Sequence, residues 1–585
     1  MSTDSPAPQP DPEPSNSNQP PRRSRERRPQ VKCPPDWARF LYNHNPFYLI
    51  STFLVLYGIR LAYGDVAIGE LNCWGMMAVL TIYTLMAAGT AVLIVKVGSV
   101  WDDARSLMLA LCILFVAISV STDELLMLSP RAAFWLILYG YLLSAGVSQW
   151  VISGTGIRLT RGYLIPFHLM LLLLQGYSYV CSPEAWDWTQ SQMDWCVFLF
   201  PQLFALLLLS LWPAVSRGPE HVASNGTPWR WPLFPGSLFF VLFLIAGFRS
   251  YILSLSFGPS HEGNYAVVFD AWFLIPLVLI GLLLLFEGGI ASERRRTSPI
   301  ILACLPLVIP MAHPYATSGD ATRFLGQFMN QFGSPLWLTG WAILAFYLWG
   351  LRRGIGGAYW GAVATGCFLT MLTPRTWSLL ALNPPSSLGL AGLSVLLALP
   401  GLRYRRTSQV FASILVMSLA LARSLFERGL DNWSLAAGYH TFLIGTLLLS
   451  LIGGDAFAIL LRRVSALLLF ASSVVALLTA AHFPGGSSGV AMYFVTLTVI
   501  SALSWQISGF RMFRNVMLAN LVVVFAGALM IGYRSGVQRI GRGVMFSLSW
   551  SIASFGTGLL ISLGKAGQLG WLKRRMLQLR QRFQG

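Results

Sequence analysis

The sequence predicts an all-α, polytopic transmembrane helix bundle of about 18 spans, with a disordered N-terminal tail and a C-terminal interfacial basic helix. Three observations predict it. Charged residues make up 11% of the 585-residue chain and apolar residues 55%, whereas soluble domains carry roughly a quarter charged residues. The apolar residues form blocks with no polar face, such as Leu274 to Phe286 and Trp195 to Trp212. A helix apolar all round must be buried in protein or in lipid. Finally, these blocks follow one another from Asn45 to Gly564, which leaves lipid as the only solvent large enough to cover them.

Residues 1–44 are a separate regime. Met1 to Pro21 is dominated by Pro, Ser, Asn, Gln and Asp, with nothing to build a core from. The run Arg22, Arg23, Arg25, Arg27, Arg28 follows. No short apolar segment with a small-residue cleavage site accompanies these charges, so the tail does not read as a signal peptide. It reads as a cytosolic tail that touches anionic lipid, not nucleic acid.

Within residues 45–564 the spans are expected at 46–63, 74–96, 106–122, 132–152, 163–181, 195–215, 233–256, 269–289, 299–313, 335–351, 356–373, 386–402, 408–426, 435–453, 464–481, 490–508, 515–533 and 543–563. Most are long enough for a hydrocarbon core of about 30 Å at about 1.5 Å per residue. The connections are too short to hold a soluble catalytic domain.

With the N-terminus in the cytosol and every span crossing, most of the 41 Lys and Arg residues fall on the cytosolic side, among them Arg294 to Arg296, Arg352, Arg353, Arg462 and Arg463. The other face collects Glu70, Asp123, Glu124, Asp187, Asp320 and Asp431. That is the usual bias of multipass proteins, and it puts both termini in the cytosol. One loop disagrees, because Arg534, Arg539 and Arg542 fall outside. The weakest span is 299–313, where Pro299, Pro306, Pro310 and Pro314 recur. Each interior proline removes a backbone hydrogen bond, so a broken or kinked crossing is expected there.

In residues 565–585, Leu572, Met576, Leu579 and Phe583 recur at helical spacing among Lys573, Arg574, Arg575, Arg580 and Arg582. This is the pattern of a basic amphipathic helix lying on a membrane surface. Cys112, Cys304 and Cys367 fall inside apolar blocks, whereas Cys181 and Cys196 flank one short loop where a disulfide is conceivable in an oxidising compartment.

No phosphate loop, His-Glu-x-x-His or paired Cys-x-x-Cys motif is present, and no metal site or cofactor is predicted. Polar groups at membrane depth remain, and these are often functional. Arg60 falls late in the first span, Arg249 within the seventh and Arg423 late in the thirteenth, with Arg323, Arg375 and Arg428 in outer loops or at span ends. Guanidinium groups bind phosphate and carboxylate bidentately, so Arg60, Arg249 and Arg423 are candidate substrate-binding residues if they converge. The alternative is separate pairing, as between Arg423 and Glu427 one turn apart. Asp270, at the start of the eighth span, is a further binding candidate. His313, Asp320 and Arg323 in the longest outer loop, and His440 in the fourteenth span, are the candidates for acid–base chemistry.

The stretches NPFYLISTFLVLYGIR (45–60), WDDARSLMLALCILFVAISVSTDE (101–124) and NGTPWRWPLFP (225–235) resemble segments of large bacterial multipass membrane proteins with no assigned activity. The resemblance covers mainly the first half of the chain. It implies a bacterial inner membrane and nothing about chemistry.

Three functions are compatible with these features. A transporter or flippase for an anionic or lipid-linked molecule uses the broken span and the outer arginines. A membrane-embedded transferase acting on a lipid-linked substrate needs a carboxylate or histidine beside them. A non-catalytic scaffold of a membrane complex predicts paired charges and no polar cavity. The partners expected are the lipid bilayer and an anionic or lipid-linked small molecule, and no nucleic acid.

Overall fold

The computed structural model describes residues 46–565, apart from 64–69, 223–224, 258–259, 262–263, 266–267, 294–295, 316–318, 381, 404 and 481–485. The tail expected over 1–44 and the basic helix expected near Leu572 to Phe583 lie outside the described residues. What is described is helical almost throughout, with one two-residue antiparallel pairing of Ser260–His261 and Asn264–Tyr265. The chain divides into two compact units at Phe257.

In the first unit the long helices are Phe47–Tyr63, Glu70–Leu93, Trp101–Val120, Pro130–Thr155, Arg161–Cys181, Gln190–Leu209 and Leu233–Ser256. Small residues set how closely they approach, as expected where no water drives helices together. A Cβ on Gly140 would lie 2.9 Å from the Ile118 side chain, and one on Gly154 would lie 2.9 Å from Val92. The core between these helices is built from Leu80, Ala88, Leu114, Ile118, Leu136, Phe200 and Leu253. Cys181 and Cys196 are buried and free, so the disulfide considered between them is not formed.

In the second unit, after the short strand pairing, a tight turn, Ala271–Leu274, leads into the Ile275–Ala291 helix. The proline-rich segment breaks as its sequence requires. A regular helix holds over Thr297–Cys304, then gives way to two tighter 3-10 turns, Leu305–Val308 and Pro310–Ala312. The stretch read as the longest loop is instead a helix, Gly319–Phe332, bent by 50° from the Pro335–Arg352 helix that follows. Ala358–Thr370, Ser387–Arg403, Thr407–Glu427, Asp431–Ile452, Ala456–Leu478, Gly486–Ser508, Arg511–Ile540 and Arg542–Lys565 complete the unit.

Among the described residues, twelve helices are long and apolar enough to cross a membrane, or thirteen if the bent pair counts as one span. The protein is therefore an all-helical, multipass membrane protein. Each of the remaining expected spans is short, bent or less apolar. Phe47–Tyr63, Thr297–Ala312 and Ser387–Arg403 have the composition but not the length.

Candidate functional site

Arg249 is the lone charge of the Leu233–Ser256 helix. It shares a packed face with Leu242, Ile245, Ala246 and Leu253, which recur at helical spacing. The face carries the guanidinium to Asp123, the first residue of the short Asp123–Leu128 helix. Nη1 donates to one carboxylate oxygen at 2.6 Å and Nη2 to the other at 2.7 Å. Nη2 also donates to the Ser178 hydroxyl at 2.5 Å and to the Ser119 carbonyl at 3.3 Å. The Ser256 hydroxyl donates to the same carboxylate at 3.0 Å.

Arg249 is 0% exposed and Asp123 2%. Both carboxylate oxygens and both terminal nitrogens are engaged, and only Arg249 Nε lacks a partner. A bidentate pair in a medium of low dielectric holds its members tightly. A further polar layer lies alongside, where Gln175 Nε2 donates to the Phe115 carbonyl at 2.9 Å and to the Ser144 hydroxyl at 3.1 Å. The cluster is a closed lock among four helices, and it leaves no open guanidinium face for an anion.

The other arginines are arranged separately. Arg60 is exposed near the end of its helix, a position from which a long side chain reaches the interface. Arg423 Nε donates to Glu427 at 3.1 Å, and Glu427 accepts the Ser387 hydroxyl at 2.6 Å, so it ties two neighbouring helices. Of the two arrangements weighed for Arg249 and Arg423, the structure gives pairing within each unit.

The structure does bring together candidates that lie far apart in the sequence. Asp270 caps the turn that leads into the Ile275–Ala291 helix, accepting from the Ala271 amide at 2.7 Å. Its second oxygen accepts from the Tyr315 amide at 2.9 Å. The His313 ring stands edge-on to the Tyr315 ring at 5.0 Å, and His313 Nδ1 is buried without a hydrogen-bond partner. The Gly319–Phe332 helix follows directly. Its buried Phe324 and Phe328 lie 6.1 and 4.7 Å from the Trp272 ring. It carries Asp320 and Arg323, which pair at 3.2 Å with Arg323 47% exposed. Asp270 and His313 thus both meet Tyr315 at the end of the broken segment, and Asp320 and Arg323 lie on the helix that comes next in the chain. An imidazole nitrogen with no internal partner can hydrogen-bond a ligand, and a guanidinium can bind an anion.

His440 is tied down differently. Its Nδ1 lies 2.6 Å from the Ala436 carbonyl, which only accepts, so in the neutral ring Nδ1 carries the hydrogen. Nε2 then accepts from the Tyr493 hydroxyl at 2.9 Å. This is a helix-to-helix hydrogen bond with no nitrogen left over.

One polar cluster escaped the sequence reading. Glu287, 2% exposed, accepts from Trp349 Nε1 at 2.6 Å and from Arg353 Nη2 at 2.7 Å. The Arg353 guanidinium lies 5.1 Å from the Trp349 ring, within cation–π reach. The signal was available, since Glu287 is the only carboxylate in an otherwise apolar block. The GGSSG run at 485–489 has the spacing of a nucleophile elbow. Its last four residues, Gly486 to Gly489, open the Gly486–Ser508 helix; the motif's turn needs a strand before the serine, and none is found there among the described residues. Comparison of the chain with family models, with curated proteins and with solved structures gives no match.

Proposed function

We propose that this chain is a bacterial inner-membrane carrier of about 18 crossings, with both termini cytosolic, that moves an anionic or lipid-linked molecule across the bilayer. The observation that supports this reading most is the break in Thr297–Ala312. Irregular backbone at membrane depth is tolerated only where protein or a water-filled cavity covers it, and discontinuous helices supply binding sites in carriers. Here the break ends at His313, whose Nδ1 has no internal partner, and leads to the exposed guanidinium of Arg323.

The test uses the full chain in proteoliposomes and a fluorescent polyprenyl phosphate. The expected result is movement between leaflets well above that of empty vesicles, reduced about tenfold by His313→Ala or Arg323→Gln. Movement equal to that of empty vesicles removes the carrier reading. The meeting of Asp270 and His313 at Tyr315, with Asp320 and Arg323 on the next helix, favours one second reading, a transferase acting on a lipid-linked substrate. It predicts a new covalent product from the same lipid, lost in His313→Ala, with no movement between leaflets.

A further inference from the structure

The NGTPWRWPLFP segment contributes Trp229, Leu233 and Phe234 to the wall of a cavity inside the first unit. The cavity holds about 280 Å³ and lies among the Trp101–Val120, Pro130–Thr155, Arg161–Cys181 and Leu233–Ser256 helices. Its wall is mainly apolar, with Leu109, Phe115, Val151, Phe167, Leu238 and Val241 contributing. Ser106, Ser148 and Ser237 supply hydroxyls, and the charged groups of the lining are Asp102 and Arg105.

The loops beside these residues are tied together. The Arg158 amide donates to the Asn225 carbonyl at 2.8 Å, and Asn225 Nδ2 donates to the Trp229 carbonyl at 2.8 Å. Asn225 Oδ1 accepts from the Thr227 amide at 2.9 Å. Gly226, at φ 72°, lies so close to the neighbouring loop that a Cβ would stand 2.1 Å from the Gly156 carbonyl oxygen. Ile157, Leu159 and Trp229, which these bonds fix, face the cavity.

We propose that this cavity binds the single hydrocarbon chain of an amphiphile whose anionic head lies against Arg105. The apolar part of the wall offers water few partners, and a hydrocarbon chain against it gains dispersion contacts. In a multipass membrane protein, hydrocarbon is the solute at hand. The volume sits at the lower edge of ordinary ligand pockets, roughly 300–1,000 Å³, so it takes one chain and not two. The head is selected at the rim. Arg105 is exposed and has no ion pair or hydrogen bond among the described residues, so its guanidinium is available to a carboxylate or phosphate. Asp102, one turn earlier, is also exposed and disfavours a head carrying a second negative charge near it.

The proposal goes beyond the carrier reading, and its test is independent. The full chain in nanodiscs is photolabelled with diazirine analogues of palmitate, dodecyl phosphate and hexadecanol, and the labelled peptides are mapped. The expected labels fall on cavity-lining residues, and the preferred anion labels about tenfold more strongly than the neutral alcohol. Palmitate preferred over the phosphate identifies a fatty acid, and the reverse identifies a phosphate-linked lipid. Arg105→Gln brings the anions down to the level of the alcohol. Val151→Trp lowers all three at least about tenfold, and Leu238→Trp does the same should the first variant not fold. Labels spread over the whole lipid-facing surface, or indifferent to both the filling and the Arg105 variants, overturn the proposal. Specific labelling without transport keeps this site and removes only the carrier.

Discussion

A buried guanidinium is tolerated only while its counter-charge is in place, and Asp123 fills that role for Arg249. Breaking a buried pair from one side strands the other charge and costs about 3–5 kcal/mol, while replacing both with apolar residues is often neutral. Asp123→Asn is therefore expected to lower the thermal unfolding temperature of the detergent-solubilised protein sharply, and Asp123→Leu combined with Arg249→Met to restore most of it. A single variant as stable as the parent would show that the pair holds nothing. A milder case lies outside the spanning helices. Asp455 caps the Ala456–Leu478 helix through the Ala458 amide at 2.9 Å. The Thr407 hydroxyl, and then that amide, hold its carboxyl below the usual carboxylate range. Its contribution is complete above about pH 4, the unfolded value, and is lost as pH falls through the lower folded value. Asp455→Ala should cost about 1 kcal/mol at neutral pH, with the difference from the parent vanishing in strong acid. At this scale the sequence is half legible. Arg249 and Glu287 each stand out as a lone charge in an apolar block. The partner of Arg249 does not, because it lies 126 residues away and Asp123 has an equally acidic neighbour in Glu124.

The prolines of 299–314 announce a broken helix because each removes a backbone donor locally, and the structure breaks where they cluster. The Gly319–Phe332 helix was lost for the opposite reason. Its apolar side is a stripe of Ala321, Phe324 and Phe328 on an otherwise polar segment, and a search for lipid-length blocks passes over it. The stripe finds its cover in Trp272 and Phe273, about fifty residues earlier in the chain. Phe324 is buried to 1%, so Phe324→Ala should cost about 3–5 kcal/mol. The loss should be local, with amide exchange accelerating across 319–332 while Pro335–Arg352 keeps its protection. Equal acceleration of both helices would mean that they unfold as one element. Gly226→Ala acts on loops instead. Its Cβ has nowhere to go beside the Gly156 carbonyl, and a residue with φ of 72° is strained with any side chain except that of Asn or Asp. The expected outcome is a lower unfolding temperature together with faster exchange over 156–159.

For the whole molecule, membrane residence is written in composition and block length, but the number of crossings is not. The reason is geometric. The Phe47–Tyr63 helix has 17 residues, or about 26 Å, slightly short of a core of about 30 Å. Arg511–Ile540 has 30 residues, or about 45 Å, so Arg534 and Arg539 sit on a helix that overruns the core and not in a loop. Charge placement decides between the counts. If only the twelve long helices cross, the basic N-terminal tail and the loops holding Arg105, Arg158, Arg217 and Arg296 lie on opposite faces, and the 41 Lys and Arg residues divide almost evenly. If the shorter helices cross as well, tail and loops share one face and the usual bias returns. A mismatch of a few ångströms costs only fractions of a kcal/mol per Å, whereas the bias is a rule of insertion, so Phe47–Tyr63 is expected to cross. Reporter fusions within the first 44 residues and at Arg296 should therefore report the same compartment, the cytosol. Opposite compartments would remove Phe47–Tyr63 from the spans and reverse the sidedness of everything after it, including the face on which Arg323 lies.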